Sequence, residues 1–217
     1  GSYYPREYLH SGFLLVKQVE HYTDERKRIR IAREIVNSAS YNILKNLRYY
    51  RKRGKDVEPY IDEIEALRRE IENTCLISEL MSIEGRVRSQ YYASFNEILR
   101  EGFQLMKRVK RPPDNMVNCL ISFGNSLLYA TTLSEIYNTQ LNPTISYLHE
   151  PSERRFSLSL DLSELFKPLI VDRTIFNLIN NRVIKPRHFI KELNYCYLKD
   201  EGKQIFIKEY DEKLKTT

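Results

Sequence analysis

Cysteine, glycine and proline are scarce in this sequence, and each scarcity closes off a class of protein. The three cysteines, Cys75, Cys119 and Cys196, are far apart. They give neither a zinc-ligand spacing nor a disulfide framework, which fits a reducing, cytoplasmic setting. Seven glycines and eight prolines in 217 residues are too few for the many turns of an all-β fold. No stretch approaches the roughly 18 uninterrupted apolar residues of a membrane span, so no membrane partner is expected. The opening Gly1-Ser2-Tyr3-Tyr4-Pro5 lacks a basic flank followed by an apolar core, and no secretory leader is expected either.

What is present is a folding composition, with 41% hydrophobic and 29% charged residues. Lys and Arg number 35 against 29 Asp and Glu, a net charge of +6. The excess is gathered at Arg26-Lys27-Arg28 with Arg30 and Arg33, at Arg48 to Arg53, at Lys107 to Arg111 and at Arg154-Arg155, with sixteen tyrosines interleaved. Phosphate backbones reward such clusters, because each neutralised phosphate releases counterions. Solvated helix faces would look the same.

Apolar residues recur at helical spacing along most of the chain. A first helix spans about 6–21, with Leu9, Phe13, Val16 and Val19 or Glu20 on one face. A long one starts at a Thr23 or Asp24 cap and carries Ile29, Ala32, Val36, Ala39, Ile43, Leu47 and Tyr50 to a stop at Gly54. Pro59 opens a third, with Tyr60, Ile64, Leu67 and Ile71. A fourth covers 76–100, with Ile77, Leu80, Glu84, Val87, Tyr91, Phe95 and Ile98 in line. After Pro112-Pro113-Asp114, a helix over 115–138 is apolar around much of its circumference and is expected to be central. A loop over 141–155 carries His149. A helix over 160–181 bends at Pro168. Asn194 to Leu198 and Gln204 to Ile207 alternate like a short β-hairpin around Asp200-Glu201-Gly202, and the end is helical. The fold class is mainly α, a multi-helix single domain over 1–217 with a short β-hairpin near the C-terminus.

Glu84 is the informative residue, because it shares a stripe with Leu80 and Val87. A carboxylate there must be paired, hydrogen-bonded, protonated or metal-bound. Its partner is either a cation or Arg86, Arg88 or a basic residue of another helix. Gly85 beside it admits another backbone or a ligand. His149, in His149-Glu150-Pro151, is a surface residue or a ligand, and His10, His21 and His188 read as surface residues. Asp161 and Glu164, at i and i+3, share a helix face, and Asp161 also suits a helix cap. One imidazole and two or three carboxylates from separate segments make a hard-to-borderline donor set, suited to Mg²⁺ or Mn²⁺. On a basic surface, that is what phosphodiester chemistry uses.

Longer motifs carry a resemblance. Arg111-Pro112-Pro113-Asp114-Asn115-Met116-Val117-Asn118, then Leu120-Ile121-Ser122-Phe123-Gly124-Asn125 and Leu127-Leu128-Tyr129, resemble a signature of the CRISPR-associated endonuclease/integrase family of the spacer-acquisition module. Tyr4-Pro5-Arg6-Glu7-Tyr8-Leu9, Leu141-Asn142-Pro143 leading to His149-Glu150-Pro151, and Leu158-Ser159-Leu160-Asp161-Leu162-Ser163-Glu164 leading to Phe166-Lys167-Pro168 extend it over essentially the whole chain. The resemblance implies an α-helical catalytic domain holding one divalent metal, Mg²⁺ or Mn²⁺, through Glu84, His149 and Glu164. It puts Asp161 and Tyr129 close to that site. It also implies a homodimer, a small ferredoxin-like Cas partner, and insertion of DNA fragments into a CRISPR array by 3′-OH attack on a phosphodiester. The family's N-terminal β-rich domain has no counterpart here, so the chain is expected to be the catalytic domain alone. Two other readings compete. A non-catalytic helical DNA-binding module would bind DNA without cutting it, and a helical scaffold would not bind DNA near physiological salt.

Overall fold

Asp24 breaks the chain between two helices and starts the second. In the computed structural model, which describes residues 11–152, 156–192 and 195–216, its carboxylate accepts the backbone N–H groups of Arg26 and Lys27 at 3.0 and 3.1 Å. Helix α1 (Gly12–Thr23) ends there and α2 (Glu25–Arg51) begins. Along α2 the expected stripe is buried, from Ile29 through Ala32, Val36, Ala39 and Ile43 to Leu47. At roughly 1.5–3 kcal/mol for each large apolar side chain, this seam contributes substantially to core stability. Gly54 takes the left-handed φ of +80° that the turn after α2 requires. Pro59 sits in the first turn of α3 (Glu58–Ile71), which buries Ile61, Ile64, Leu67 and Ile71.

The fourth predicted helix is shorter than its periodicity suggests. It divides into α4 (Ile77–Ala93) and a single turn, α5 (Phe95–Ile98), and the chain is extended at Leu99. Helix α6 (Met116–Tyr137) buries residues around its circumference, as expected of a central helix. The predicted 160–181 helix is three pieces: α7 (Ser157–Phe166), a π-helical turn at Pro168–Asp172, and α8 (Arg173–Asn180). Pro168 lacks the N–H that would continue α7, and the Asp172 N–H reaches back five residues to the Lys167 carbonyl at 3.0 Å.

The hairpin exists, but with different strands. Strand β1 (Phe189–Lys191) pairs antiparallel with β2 (Cys196–Leu198), Ile190 opposite Tyr197. Gln204 to Ile207, expected as a strand, lies inside α9 (Asp200–Thr216). Asp200 and Glu201 occupy that helix's first turn, where carboxylates suit the dipole, and Gly202, Phe206 and Tyr210 make its buried stripe. The Cys196 N–H donates to the Pro113 carbonyl at 2.7 Å, pinning the hairpin to the Pro112-Pro113 break.

Three further expectations change. The apolar stripe of α1 faces outward, with Phe13 75% and Val16 65% exposed, and the helix docks through buried Gln18. That amide accepts the Asn142 N–H and donates to its carbonyl, at 2.7 and 3.2 Å. His188, read as a surface residue, is buried beneath α9. Its Nδ1 accepts the Lys185 N–H and its Nε2 lies 3.4 Å from Glu201. Much of the basic charge is internally paired, as in Arg28–Glu150, Arg48–Glu65 and Arg51–Glu58. The Tyr4-to-Leu9 motif, His10, the Arg154-Arg155 pair and Asn194 lie outside the described residues.

The layers run α3 and α4, then α2, then α7, then α6 with the hairpin. Among the described residues no helix is long and apolar enough to cross a membrane. Close approach falls at Gly124 rather than Gly85. A Cβ on Gly124 would lie 2.5 Å from Val171 and 2.8 Å from Phe206, whereas one on Gly85 meets nothing within 4 Å. Gly124→Ala is therefore expected to destabilise by about 1–3 kcal/mol through overpacking. Gly85→Ala should leave stability unchanged or raise it by up to about 1 kcal/mol through helix propensity. Urea denaturation of both variants checks the pair.

Candidate active site

Helices α4 and α7 both rest on α2, and between them lies one guanidinium. Arg88 is one turn beyond Glu84 on α4, a spacing that makes the two side chains neighbours. Its Nε donates to Glu84 at 3.1 Å and its Nη2 to Glu164 on α7. Lys167, in the next turn, takes the other Glu164 oxygen. Glu164 is buried, which alone would raise its pKa, but Arg88, Lys167 and then His149 outweigh burial and hold it down at about 2. Burial opposes the charge on Arg88 as well, but the surrounding Glu164, Tyr92, Glu84 and Asp172 raise its pKa well above the ordinary value. One nitrogen, Nη1, is buried with no hydrogen-bond partner.

Asp172, in the π turn, is buried beside this group with Oδ2 unpartnered. Burial pushes its pKa up to about 7 against the pull of Arg88 and of the Tyr91 hydroxyl. That hydroxyl accepts from Asn46 of α2, whose amide also donates to the Pro168 carbonyl.

Asp161 does not cap. Helix α7 starts at Ser157, so Asp161 lies in its second turn, facing the loop that carries His149. It is fully buried and accepts four hydrogen bonds: from the backbone N–H groups of Tyr147, Leu148 and His149 at 2.7, 3.0 and 3.0 Å, and from His149 Nδ1 at 2.8 Å. With Nδ1 donating, the imidazole lone pair is on Nε2, which has no protein hydrogen-bond partner among the described residues. A carboxylate holding the far nitrogen is how metal-ligating histidines are oriented. Tyr129 of α6 is next door, its hydroxyl accepting the Phe156 N–H at 3.3 Å at the start of α7.

The structure thus joins Glu84 to Glu164 through Arg88, brings His149 within electrostatic reach of Glu164, and fixes His149 with Asp161. Among the described residues, no three His, Cys, Asp or Glu side chains are gathered at metal-binding distance, and both carboxylates are neutralised by cations of the protein. The donor set still fits a hard divalent ion: two carboxylates, and an imidazole whose Nε2 is open and whose Nδ1 is anchored. Arg88 was visible in the sequence as one of the candidate partners of Glu84. Lys167, three residues beyond Glu164, is at pairing distance along a helix, a spacing that could have marked it, and nothing in the local spacing of Asp172 or Asn46 marks them.

The family profile described as CRISPR associated protein Cas1 matches residues 1–212. The chain belongs to the Cas1 family. It is 55% identical over 215 residues to the CRISPR-associated endonuclease Cas1 of Fusobacterium nucleatum, covering 99% of this chain and 64% of that protein. It is 48% identical to the CRISPR-associated endonuclease Cas1 of Methanothermobacter thermautotrophicus, covering 63% of it. The chain therefore spans less than two thirds of the length of these Cas1 relatives. Among solved structures, a Cas1 protein from Thermotoga maritima superposes with a TM-score of 0.90 at 47% identity, over all of this chain and 68% of that one. A casposase bound to integration product has the same fold, with a TM-score of 0.82 at 23% identity over 91% of this chain and 58% of that one.

Two carboxyl groups here shift in opposite directions, and pH separates them. The Glu164 pKa is lowered, so its contribution to stability is present above the unfolded value of 4.5 and is lost as pH falls toward about 2. Asp172 is raised, so its contribution is full below 3.8 and is lost as pH rises through about 7. Asp172→Asn should accordingly gain on the parent chain in melting temperature as pH rises from about 4 to 7.5. Arg88→Met leaves Glu164 buried with Lys167 alone and is expected to cost about 3–5 kcal/mol near neutrality, by urea denaturation. An Arg88→Met variant as stable as the parent would mean the bridge contributes nothing.

Proposed function

We propose that this chain, over 1–217, is the C-terminal catalytic domain of a Cas1 enzyme that cuts and joins DNA with a divalent metal, inserting DNA fragments as spacers into a CRISPR array. The observation that carries the reading is the His149–Asp161 couple set beside Glu164. Asp161 spends its buried charge on three backbone amides and Nδ1, and the one ring nitrogen able to bind a cation has no protein hydrogen-bond partner among the described residues.

Glu84, His149 Nε2 and Glu164 are the side chains that would hold Mg²⁺ or Mn²⁺. When bound, the ion supplies Lewis-acid polarisation of a phosphoryl oxygen and stabilises charge on the attacking and leaving oxygens. The protein's own part is positional and electrostatic. Asp161 fixes the imidazole tautomer. Arg88 and Lys167 keep Glu164 ionised near neutral pH, and their positive charge beside the carboxylates would favour the negative charge of a pentavalent phosphorus held there. The 3′-OH of a DNA fragment forms the new P–O bond as the old 3′-oxygen leaves, and water in place of that hydroxyl gives strand scission. Basic side chains that make no ion pair among the described residues, Arg26 and Arg30 of α2 and Lys107, Lys110 and Arg111 before α6, offer phosphate contacts that position DNA without reading sequence. A homodimer and a small ferredoxin-like Cas partner complete the cytoplasmic assembly in this reading.

Arg88 and Lys167 already neutralise Glu164, and that favours a second reading, a non-catalytic helical DNA-binding module. It expects salt-sensitive DNA binding with no Mn²⁺-dependent chemistry. A nicking and strand-transfer assay on branched DNA in Mn²⁺ decides between them. Glu84→Ala, His149→Ala and Glu164→Ala are expected to lose activity by at least about 100-fold. Asp161→Asn should lose about 10–100-fold, the usual effect of removing a partner that orients a ligand. Full activity in Glu164→Ala would remove this site from the chemistry.

A further inference from the structure

Away from the carboxylates, a cavity of about 330 Å³ opens between the C-terminal end of α2, helix α8 and the last turns of α9. Its wall carries Arg53, Arg173 and Lys213, of which Lys213 pairs with Glu209 at 3.7 Å, and no lining carboxylate faces the two arginines. Such an imbalance is uncommon in a chain whose other arginines are so often paired. Neither Arg53 nor Arg173 makes an ion pair among the described residues. The Nε of Arg173 donates to Asn46 at 2.7 Å, which fixes the arm and leaves the terminal nitrogens of the guanidinium for a ligand. Arg53 lies 4.5 Å above the ring of Tyr49, itself half exposed. Tyr49 packs edge-on against Tyr50, and Tyr50 against Phe176, so the aromatic wall is braced from behind. On the opposite side Asn181 donates to Asn177, which donates to Glu209, leaving the Asn181 carbonyl available.

Fixed guanidinium groups suit a phosphate, a flat aromatic face suits a planar ring, and carboxamides suit the polar edge of a base. A bare anion would use only the first of these. The volume lies at the lower end of small-ligand pockets, room for one nucleotide and little more. We propose that this cavity binds one phosphorylated nucleoside unit, with its phosphate on Arg53 and Arg173 and its base against Tyr49. The unit comes either from a free nucleotide or from an unpaired DNA strand. The site is separate from the candidate metal centre, which it approaches through Asn46 and its bond to Tyr91.

The test runs in EDTA, so that it does not depend on metal or on catalysis. Titration calorimetry with dAMP, dTMP and inorganic phosphate is set beside fluorescence anisotropy with a labelled unpaired thymidine oligonucleotide, a blunt duplex and poly-glutamate. The variants are Arg53→Ala and Tyr49→Ala, both at exposed positions, with melting curves to show that each folds. The expected result is that dAMP or the unpaired oligonucleotide binds, and that each variant weakens that binding at least tenfold while duplex binding is unchanged. Binding of dAMP assigns the free nucleotide as a source, and binding of the oligonucleotide alone assigns the strand. Phosphate or poly-glutamate binding as well as the nucleotides would overturn the proposal in favour of a general anion site. Unchanged affinity in folded Arg53→Ala and Tyr49→Ala would overturn it outright. Nucleotide binding with no Mn²⁺-dependent strand transfer would sink the catalytic reading and leave this one standing.

Discussion

The buried guanidinium of Arg88 is the constraint around which the rest is arranged. A carboxylate as enclosed as Glu164 cannot remain ionised on its own, since the desolvation penalty amounts to several kcal/mol. Arg88 and Lys167 offset that penalty, and Glu84 in turn balances Arg88. Two helices that both pack on α2 are thereby tied by charge across the face where the candidate chemistry lies. The arrangement leaves one of the guanidinium nitrogens and the Oδ2 of Asp172 without hydrogen-bond partners, so the polar interior is not fully compensated. Incomplete compensation of this kind is common at functional sites, where local stability is given up for reactivity.

The second fixed point is Asp161. Among the described residues its one side-chain partner is an imidazole, and it satisfies three successive backbone N–H groups of the loop. Those bonds fold the loop around the carboxylate, and the fourth sets the direction of His149. The start of α7 reinforces this from the other side, through Leu158 N–H to the Pro143 carbonyl and the Ser157 hydroxyl to the Thr144 carbonyl. Glu150 then closes the loop against α1 and α2, through Tyr22 and Arg28, and Arg28 together with the Tyr22 hydroxyl lowers its pKa. The position of the imidazole is thus the sum of several ordinary hydrogen bonds, each worth about 1 kcal/mol or a little more.

Most helices were legible, because a buried helical stripe leaves a 3.6-residue period whatever it packs against. What the period does not say is which way the stripe points. The apolar face of α1 reads like that of α2, yet it is exposed and the helix is held by Gln18. Ends were harder than middles. Nothing at Phe156 caps α7 by side chain, so the start fell one turn early, and Asp161 changed from a cap into the anchor of the His149 loop. The hairpin was legible as a change to period two, but Gln204 to Ile207 also fits a helix, and the acidic first turn at Asp200 decided in favour of helix. Close approach at Gly124 depends on Val171 and Phe206, which are distant in sequence, and no local signal distinguishes it from Gly85. At the site, Glu84, Asp161 and Glu164 stood out as polar groups on or near apolar stripes, and His149, in a loop, through the donor set and the family resemblance. Lys167 pairs with Glu164 from three residues along the chain, whereas Arg88 reaches Glu164 and Asp172 reaches the group only through the packing of α4, α7 and the π turn.

The central claim is that Glu84, His149 and Glu164 form one divalent-metal site whose charge the protein otherwise balances with Arg88. Diffraction from crystals grown in Mn²⁺, recorded at a wavelength where manganese scatters anomalously, tests it directly. The account predicts one anomalous peak about 2.0–2.2 Å from a Glu84 oxygen, His149 Nε2 and a Glu164 oxygen, with Asp161 still on Nδ1. Density that shows Arg88 bridging both carboxylates with no anomalous peak beside His149 would contradict it.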